Sequence, residues 1–167
     1  MKLKPITILK DFNCPTHIIE HSIAVSNKAR DMALNFMDKT GTNIDMEQIE
    51  TGALLHDIGR TKTHTIKHAI EGAEILKSLN FPENIIKITT RHIGAGIPSN
   101  EAKILGLPPG NYMPHTLEEK IVAHADNLVN GSVEVDLEFV IEKWEKNFGK
   151  DHPAIIRLKK LHKELNP

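Results

Sequence analysis

Cysteine is almost absent from this chain: Cys14 is the single copy among 167 residues. One thiol permits no internal disulfide, and it excludes the zinc sites that need two to four cysteines. Any metal here must be held by histidine and carboxylate. Aromatic side chains are scarce too, at 4% in total, so the core has to be aliphatic. Excess charge of either sign is missing: 21 Lys and Arg stand against 22 Asp and Glu, a net charge of −1. General nucleic-acid binding is not expected on that balance, because it relies on a strongly basic face. A local basic pocket for a small phosphorylated ligand is compatible with it. Apolar runs fall far short of the roughly 20 residues that a membrane span requires. Nor does the opening segment read as a secretory leader, since Met1 to Lys10 alternates lysine with short apolar pieces. A soluble, cytoplasmic protein is the expectation.

What the chain does have is 21 Ile, 15 Leu and 10 His. Its length suits one domain, in which about 68–70% of the unfolded surface can be buried without disulfides. The hydrophobic pattern is helical almost throughout. After Pro15, which suits a first helical turn, Ile18, His21, Val25, Ala29, Met32 and Phe36 recur at steps of three or four, and the face ends near Thr40-Gly41. Asp45 with Gln48 is a capping-box arrangement opening a second helix, and Thr116 with Glu119 is another. Further helices are expected at about 66–79, 82–92, 135–148 and 153–165. Residues Gly94 to Pro114 hold four prolines and four glycines and read as a long irregular loop of the kind that is often functional. The fold class is therefore all-α, with six or seven helices and no convincing strand.

The histidines fall on informative faces. His21 shares a stripe with Ile18 and Val25, and His56 lies four residues after Gly52 with Asp57 beside it. Asp126 follows Val122 by four and precedes Val129 by three, and His92 follows Ile88 by four. A bare carboxylate on a buried face costs several kcal/mol unless it is paired or coordinated. Two such aspartates beside several imidazoles point to a shared divalent ion. Mn, Fe, Co, Ni and Zn all suit that ligand set. A lone histidine on an apolar face is more often a core residue bonded to a carbonyl, and His17, His64, His115, His124, His152 and His162 are read as surface or structural.

The order His21, then His56-Asp57-Ile58-Gly59, then Asp126 within Ala125-Asp126-Asn127 resembles the HD-domain metal-dependent phosphohydrolases of the HDIG type. The match spans roughly residues 16 to 130 and leaves the helices at about 135–165 outside it. The whole chain is similar to small stand-alone members common in archaea. His68 with Gly72-Ala73, and Arg91-His92 with Gly94, resemble the segments that serve a second metal in two-metal subfamilies. The resemblance implies that His21, His56, Asp57 and Asp126 hold one ion. It assigns His68, His92 and a bridging Asp57 to a second ion. Ile93 stands where the cyclic di-GMP hydrolases have a second consecutive histidine, and their Gly-Tyr-Pro is missing, which argues against that substrate. The symmetrical dinucleoside tetraphosphate hydrolases of the HD type are a closer comparison.

Such a site suits in-line hydrolysis of a phosphate ester or anhydride. A metal-held water has its pKa lowered from 15.7 towards about 7, and a second ion about 3.5–4 Å away steadies the developing charge. Asp57 would both ligate metal and orient the nucleophilic water. Arg60, three residues on, and Arg91, beside His92, are the expected phosphate ligands, ahead of Lys62, Lys67, Lys103 and Lys120. The function expected is a metal-dependent phosphohydrolase acting on a phosphomonoester, phosphodiester or phosphoanhydride of a nucleotide-like small molecule. The alternatives are a non-catalytic helical module that senses a nucleotide or metal, and a bundle whose histidines are merely structural.

Overall fold

The computed structural model describes residues 4–167, so Met1–Leu3 of the basic opening segment lie outside the described residues. Within them the chain is helical: α1 (Pro5–Asp11), α2 (Thr16–Thr40), α3 (Met46–Leu55), a 3-10 turn (Ile58–Thr61), α4 (His68–Ser78), α5 (Glu83–Arg91), α6 (Ser99–Ile104), α7 (Leu117–Asn127), α8 (Leu137–Phe148) and α9 (Pro153–Leu165). A two-residue hairpin, β1 (Val129–Asn130) and β2 (Val133–Glu134), pairs Val129 with Glu134 and Asn130 with Val133. The all-α class holds.

Local chemistry explains the boundaries. Asp45 accepts from the Gln48 amide at 3.0 Å and opens α3, as the capping pattern predicts. Thr116 does the same for the Glu119 amide at 3.2 Å. At the other end of α2, Gly41 adopts φ +70°, and its amide caps the Met37 carbonyl. Two short helices depart from the expected pattern. α1 lies in the opening segment, and α6 sits inside the Gly94–Pro114 stretch. There Ile97 and Tyr112 form a β-bridge, and Ile97, Ala102, Leu107 and Tyr112 bury a small cluster of their own. That stretch is a folded excursion rather than an irregular loop.

α2 is the central element. Its Val25, Ala29 and Ala33 pack with Ile49 and Ala53 of α3, Ile121, Val122 and Ala125 of α7, and Leu158 and Leu161 of α9. A second cluster joins Ile8 and Leu9 of α1 to Ile18, Leu55, Leu76 and Ile85. Both are aliphatic, as the composition requires. α9 buries four residues, whereas α8 buries only Val140, so α8 lies on the body with most of its surface uncovered.

Candidate metal centre

Most of the candidate ligands stand at helix ends. His56 is the C-cap of α3, Asp57 opens the turn that follows, and His68 is the first residue of α4. His92 is the C-cap of α5, and Asp126 is in the last turn of α7. His21 alone is mid-helix, in α2. Ending the helices at the site lets α3, α4, α5 and α7 converge on one point without their axes colliding.

One device orients three imidazoles. Nδ1 of His56 donates to Ala53 O at 2.6 Å, that of His68 to Thr65 O at 2.8 Å and that of His92 to Thr89 O at 2.7 Å, always the carbonyl three residues back. His21 donates to Gly131 O at 2.6 Å, a carbonyl in the hairpin turn 110 residues away. A carbonyl can only accept, so each Nδ1 carries the proton, and in the neutral ring Nε2 presents a lone pair. All four Nε2 atoms face the aspartates. His21 Nε2 is 2.9 Å from Asp126 Oδ1 and 3.9 Å from Asp57 Oδ2. His56 Nε2 is 3.5 Å from Asp126 Oδ1 and 3.8 Å from Asp57 Oδ2. His68 and His92 stand 3.1 and 3.4 Å from Asp57 Oδ1, with their own Nε2 atoms 3.0 Å apart.

Lone pairs so placed repel unless positive charge sits among them, as a metal ion or as a proton taken up by an imidazole. Burial alone would raise the carboxyl of Asp57, but the imidazoles of His56, His68 and His92 hold it well below the usual carboxylate range. Asp126 is lowered in the same way, burial being outweighed by His56 and His21. Burial would likewise depress His56, yet the two aspartates push it up to about 9. His92 is pushed down, chiefly by burial. The chain thus holds two carboxylates, Asp57 buried and Asp126 half-buried, that draw in positive charge. His56 Nε2 and Asp57 Oδ1 are moreover buried with no hydrogen-bond partner, in a protein interior where such groups are normally satisfied. Three overlapping sets have ligand atoms within 4.8 Å of one another: His21–His56–Asp57, His56–His92–Asp126 and Asp57–His68–His92. This donor set fits a divalent ion. Neither His17 nor His64 enters such a group among the described residues.

The two candidate phosphate ligands are placed differently. Arg60 Nε donates to Asp57 Oδ2 at 2.6 Å, and Arg60 lines two cavities of about 340 and 330 Å³ that His21 also lines. Arg91 is not brought to the cluster: its Nη1 donates to both oxygens of Glu119, at 3.2 and 2.9 Å. Glu119 is 2% exposed and also accepts from the His115 amide at 2.7 Å, so this pair clamps α5 to the start of α7. The larger cavity is walled by Asn127, Asn130, Phe139, Lys143 and Trp144.

Two features had little signal in sequence. Gly131 acts through its carbonyl, which side-chain pattern does not report. The buried Glu119 resembled an ordinary capping-box residue. His124, read as surface or structural, is fully buried: its Nε2 is 2.9 Å from His162 Nδ1, and burial drives its pKa down to about 3.

The HD domain family model matches residues 18–131. An uncharacterized protein of Methanocaldococcus jannaschii is 51% identical over 98% of this chain and 95% of its own length. A protein of Picrophilus torridus named tRNA (cytidine(56)-2'-O)-methyltransferase is 49% identical over 96% of this chain, which spans only 45% of that relative's length. Among solved structures, the HD domain of the L. monocytogenes phosphodiesterase PgpH in complex with cyclic-di-AMP aligns with a TM-score of 0.58 at 21% identity. The alignment covers 96% of this chain and 92% of that one.

Proposed function

The chain belongs to the HD domain family, and on that premise we propose that it is a metal-dependent phosphohydrolase acting on a phosphate ester or anhydride of a nucleotide-like molecule. The observation that carries the reading is the convergence of four Nδ1-protonated imidazoles on the carboxylates of Asp57 and Asp126. His21, His56, Asp57 and Asp126 would hold one divalent ion, and Asp57, His68 and His92 a second. Ions so held make hydroxide available near neutral pH and neutralise charge on a phosphate.

The residues of the chain divide the remaining work. The backbone carbonyls of Ala53, Thr65, Thr89 and Gly131 fix the tautomer and direction of each ring, an outer layer of support on which ligand sites depend. Asp57 stays ionised and therefore accepts a hydrogen bond rather than giving one, which suits it to orient a water for in-line attack. Arg60, reaching both cavities, is the cation that meets the phosphate. Arg91 acts at one remove in this reading, by holding α5 and α7 in register through Glu119. The cavities share His21, Arg60 and Gly131, so a phosphate at the cluster has room beside it for the rest of the substrate. The relatives bring RNA into the range of substrates, because a terminal or RNA-derived nucleotide carries the same chemistry.

The test is hydrolysis of a panel of nucleotide diesters, anhydrides and short RNAs by protein loaded in turn with Mn, Fe, Co, Ni and Zn, with metal content measured alongside. Turnover that is lost on chelation and lost in Asp57→Asn is the expected result. Metal-bearing protein that turns over none of these substrates would sink the proposal. Nucleotide binding without turnover would move the chain to a sensing module.

A further inference from the structure

We propose that α8, which lies beyond the residues matched by the family model, supplies a nucleobase platform. On this view the substrate is a nucleotide whose base lies on Phe139 and Trp144 while its phosphate meets the His/Asp cluster. The phosphate end of this inference rests on the function proposed above; the base end rests on separate observations.

The chain has seven aromatic residues, and three of them, Phe139, Trp144 and Phe148, are on this one helix. Two of the three line the cavity of about 340 Å³ that the candidate ligands His21 and Asp126 also line. Packing accounts for Trp144 in part, since it lies half-buried against the aliphatic core. It does not account for Phe139, which is 43% exposed on a helix whose one buried residue is Val140, with its amide hydrogen-bonded to Asp136 Oδ1 at 2.9 Å. The aromatic wall is nevertheless tied to the metal centre. Trp144 lies over Gly94, where a Cβ would stand 3.4 Å from Cη2 of the indole. Asn127, next to Asp126, donates to Gly94 O at 3.0 Å. Lys143 adds a cation on the same rim, its Nζ bonded to Asn130 Oδ1 at 3.0 Å. An apolar face with amides and one cation beside it is what a base with its polar edge needs. The volume lies at the low end of small-molecule pockets, about 300–1,000 Å³, so it takes one nucleotide unit.

Trp144 is the only tryptophan in the chain, so its emission reports this cavity without a label. The experiment titrates metal-loaded and metal-free protein with AMP, GMP, CMP and UMP, with ribose 5-phosphate as the base-free probe, and with a short single-stranded RNA. Saturable quenching by the nucleotides but not by ribose 5-phosphate is expected. Phe139→Ala should raise the nucleotide Kd roughly 5- to 150-fold, the range for loss of one base–aromatic stack. Phe139→Tyr should restore it, with circular dichroism confirming that both variants fold. Mononucleotides that quench as well as the RNA identify a free nucleotide as the ligand, whereas quenching confined to the RNA identifies a strand end; either outcome supports the platform. Equal quenching by ribose 5-phosphate, an unchanged Kd in Phe139→Ala, or no response to any of these probes overturns it. The two readings fail separately. Nucleotides that bind and are never hydrolysed leave the platform standing and remove the hydrolase. Turnover that ignores the base removes the platform and leaves the hydrolase.

Discussion

Replacing Gly59 by alanine tests the way the centre is assembled without touching a ligand. Gly59 lies in the 3-10 turn two residues after Asp57, and its α-carbon faces the first turn of α4. A Cβ there would stand 2.5 Å from Gly72 N and closer still to the carbonyl oxygen of His68. An ordinary contact needs about 3.5 Å, so the turn and α4 would have to part by about 1 Å or more. Overpacking that a rotamer can relieve costs about 1–3 kcal/mol. Here both obstacles are backbone, so the expected loss is about 3 kcal/mol or more, a large share of the roughly 5–15 kcal/mol that stabilises a domain. The same displacement carries His68 away from Asp57. Its Nε2, now 3.1 Å from Oδ1, would shift by a similar amount, which spoils the ligand geometry that a shared ion needs. Urea unfolding of chelated protein measures the first effect, and metal content after reloading measures the second. Metal held through His68 and His92 should be lost before metal held through His21 and Asp126. Gly72→Ala is the milder companion: its Cβ meets the Thr89 methyl at 2.8 Å, and alanine gains about 1 kcal/mol over glycine inside a helix. A Gly59→Ala protein within about 0.5 kcal/mol of the parent, with unaltered metal content, would refute the reasoning.

Arg91→Ala should cost about 2–3 kcal/mol in urea unfolding. That is less than the ~3–5 kcal/mol of breaking a fully buried pair, because the Arg91 side chain is 24% exposed. Adding Glu119→Gln should recover part of the loss, whereas unchanged stability with lost phosphate binding would return Arg91 to the substrate. His68→Ala should lower metal content by one ion per chain while His21 and Asp126 keep the other; an unchanged content means that no ion depends on His68. His124 gives a pH test on chelated protein. Its pKa is about 3 folded against about 6.5 unfolded, so below pH 6.5 the unfolded chain takes up a proton that the folded one refuses. Stability therefore falls with pH between about 6.5 and 3, by up to ~1.4 kcal/mol per unit. His124→Gln should flatten that slope between pH 6 and 4, and a parallel slope in the variant would contradict the burial argument.

Sequence by itself determined the helical class, the end of α2, the starts of α3 and α7, and the six side chains that meet at the cluster. The reason is local. A helix-end histidine bonded to the carbonyl three residues back, as His56 and His92 are, needs little beyond its own helix to face the right way. An apolar stripe likewise shows which face is buried before its partner is known. Tertiary structure alone decided the rest. His21 takes its tautomer from Gly131, 110 residues on, and no periodicity reaches that far. Arg91 sits beside a ligand in sequence, yet its head group goes to Glu119, because a buried carboxylate holds a cation more firmly than an open cleft does. α6 forms in a segment rich in proline and glycine because Ile97, Ala102, Leu107 and Tyr112 find one another across a short excursion. The aromatic scarcity that first excluded an aromatic core has a second meaning in three dimensions. Phe139 and Trp144 lie beside the candidate ligands, a juxtaposition that depends on where tertiary packing lays α8 rather than on any motif within it.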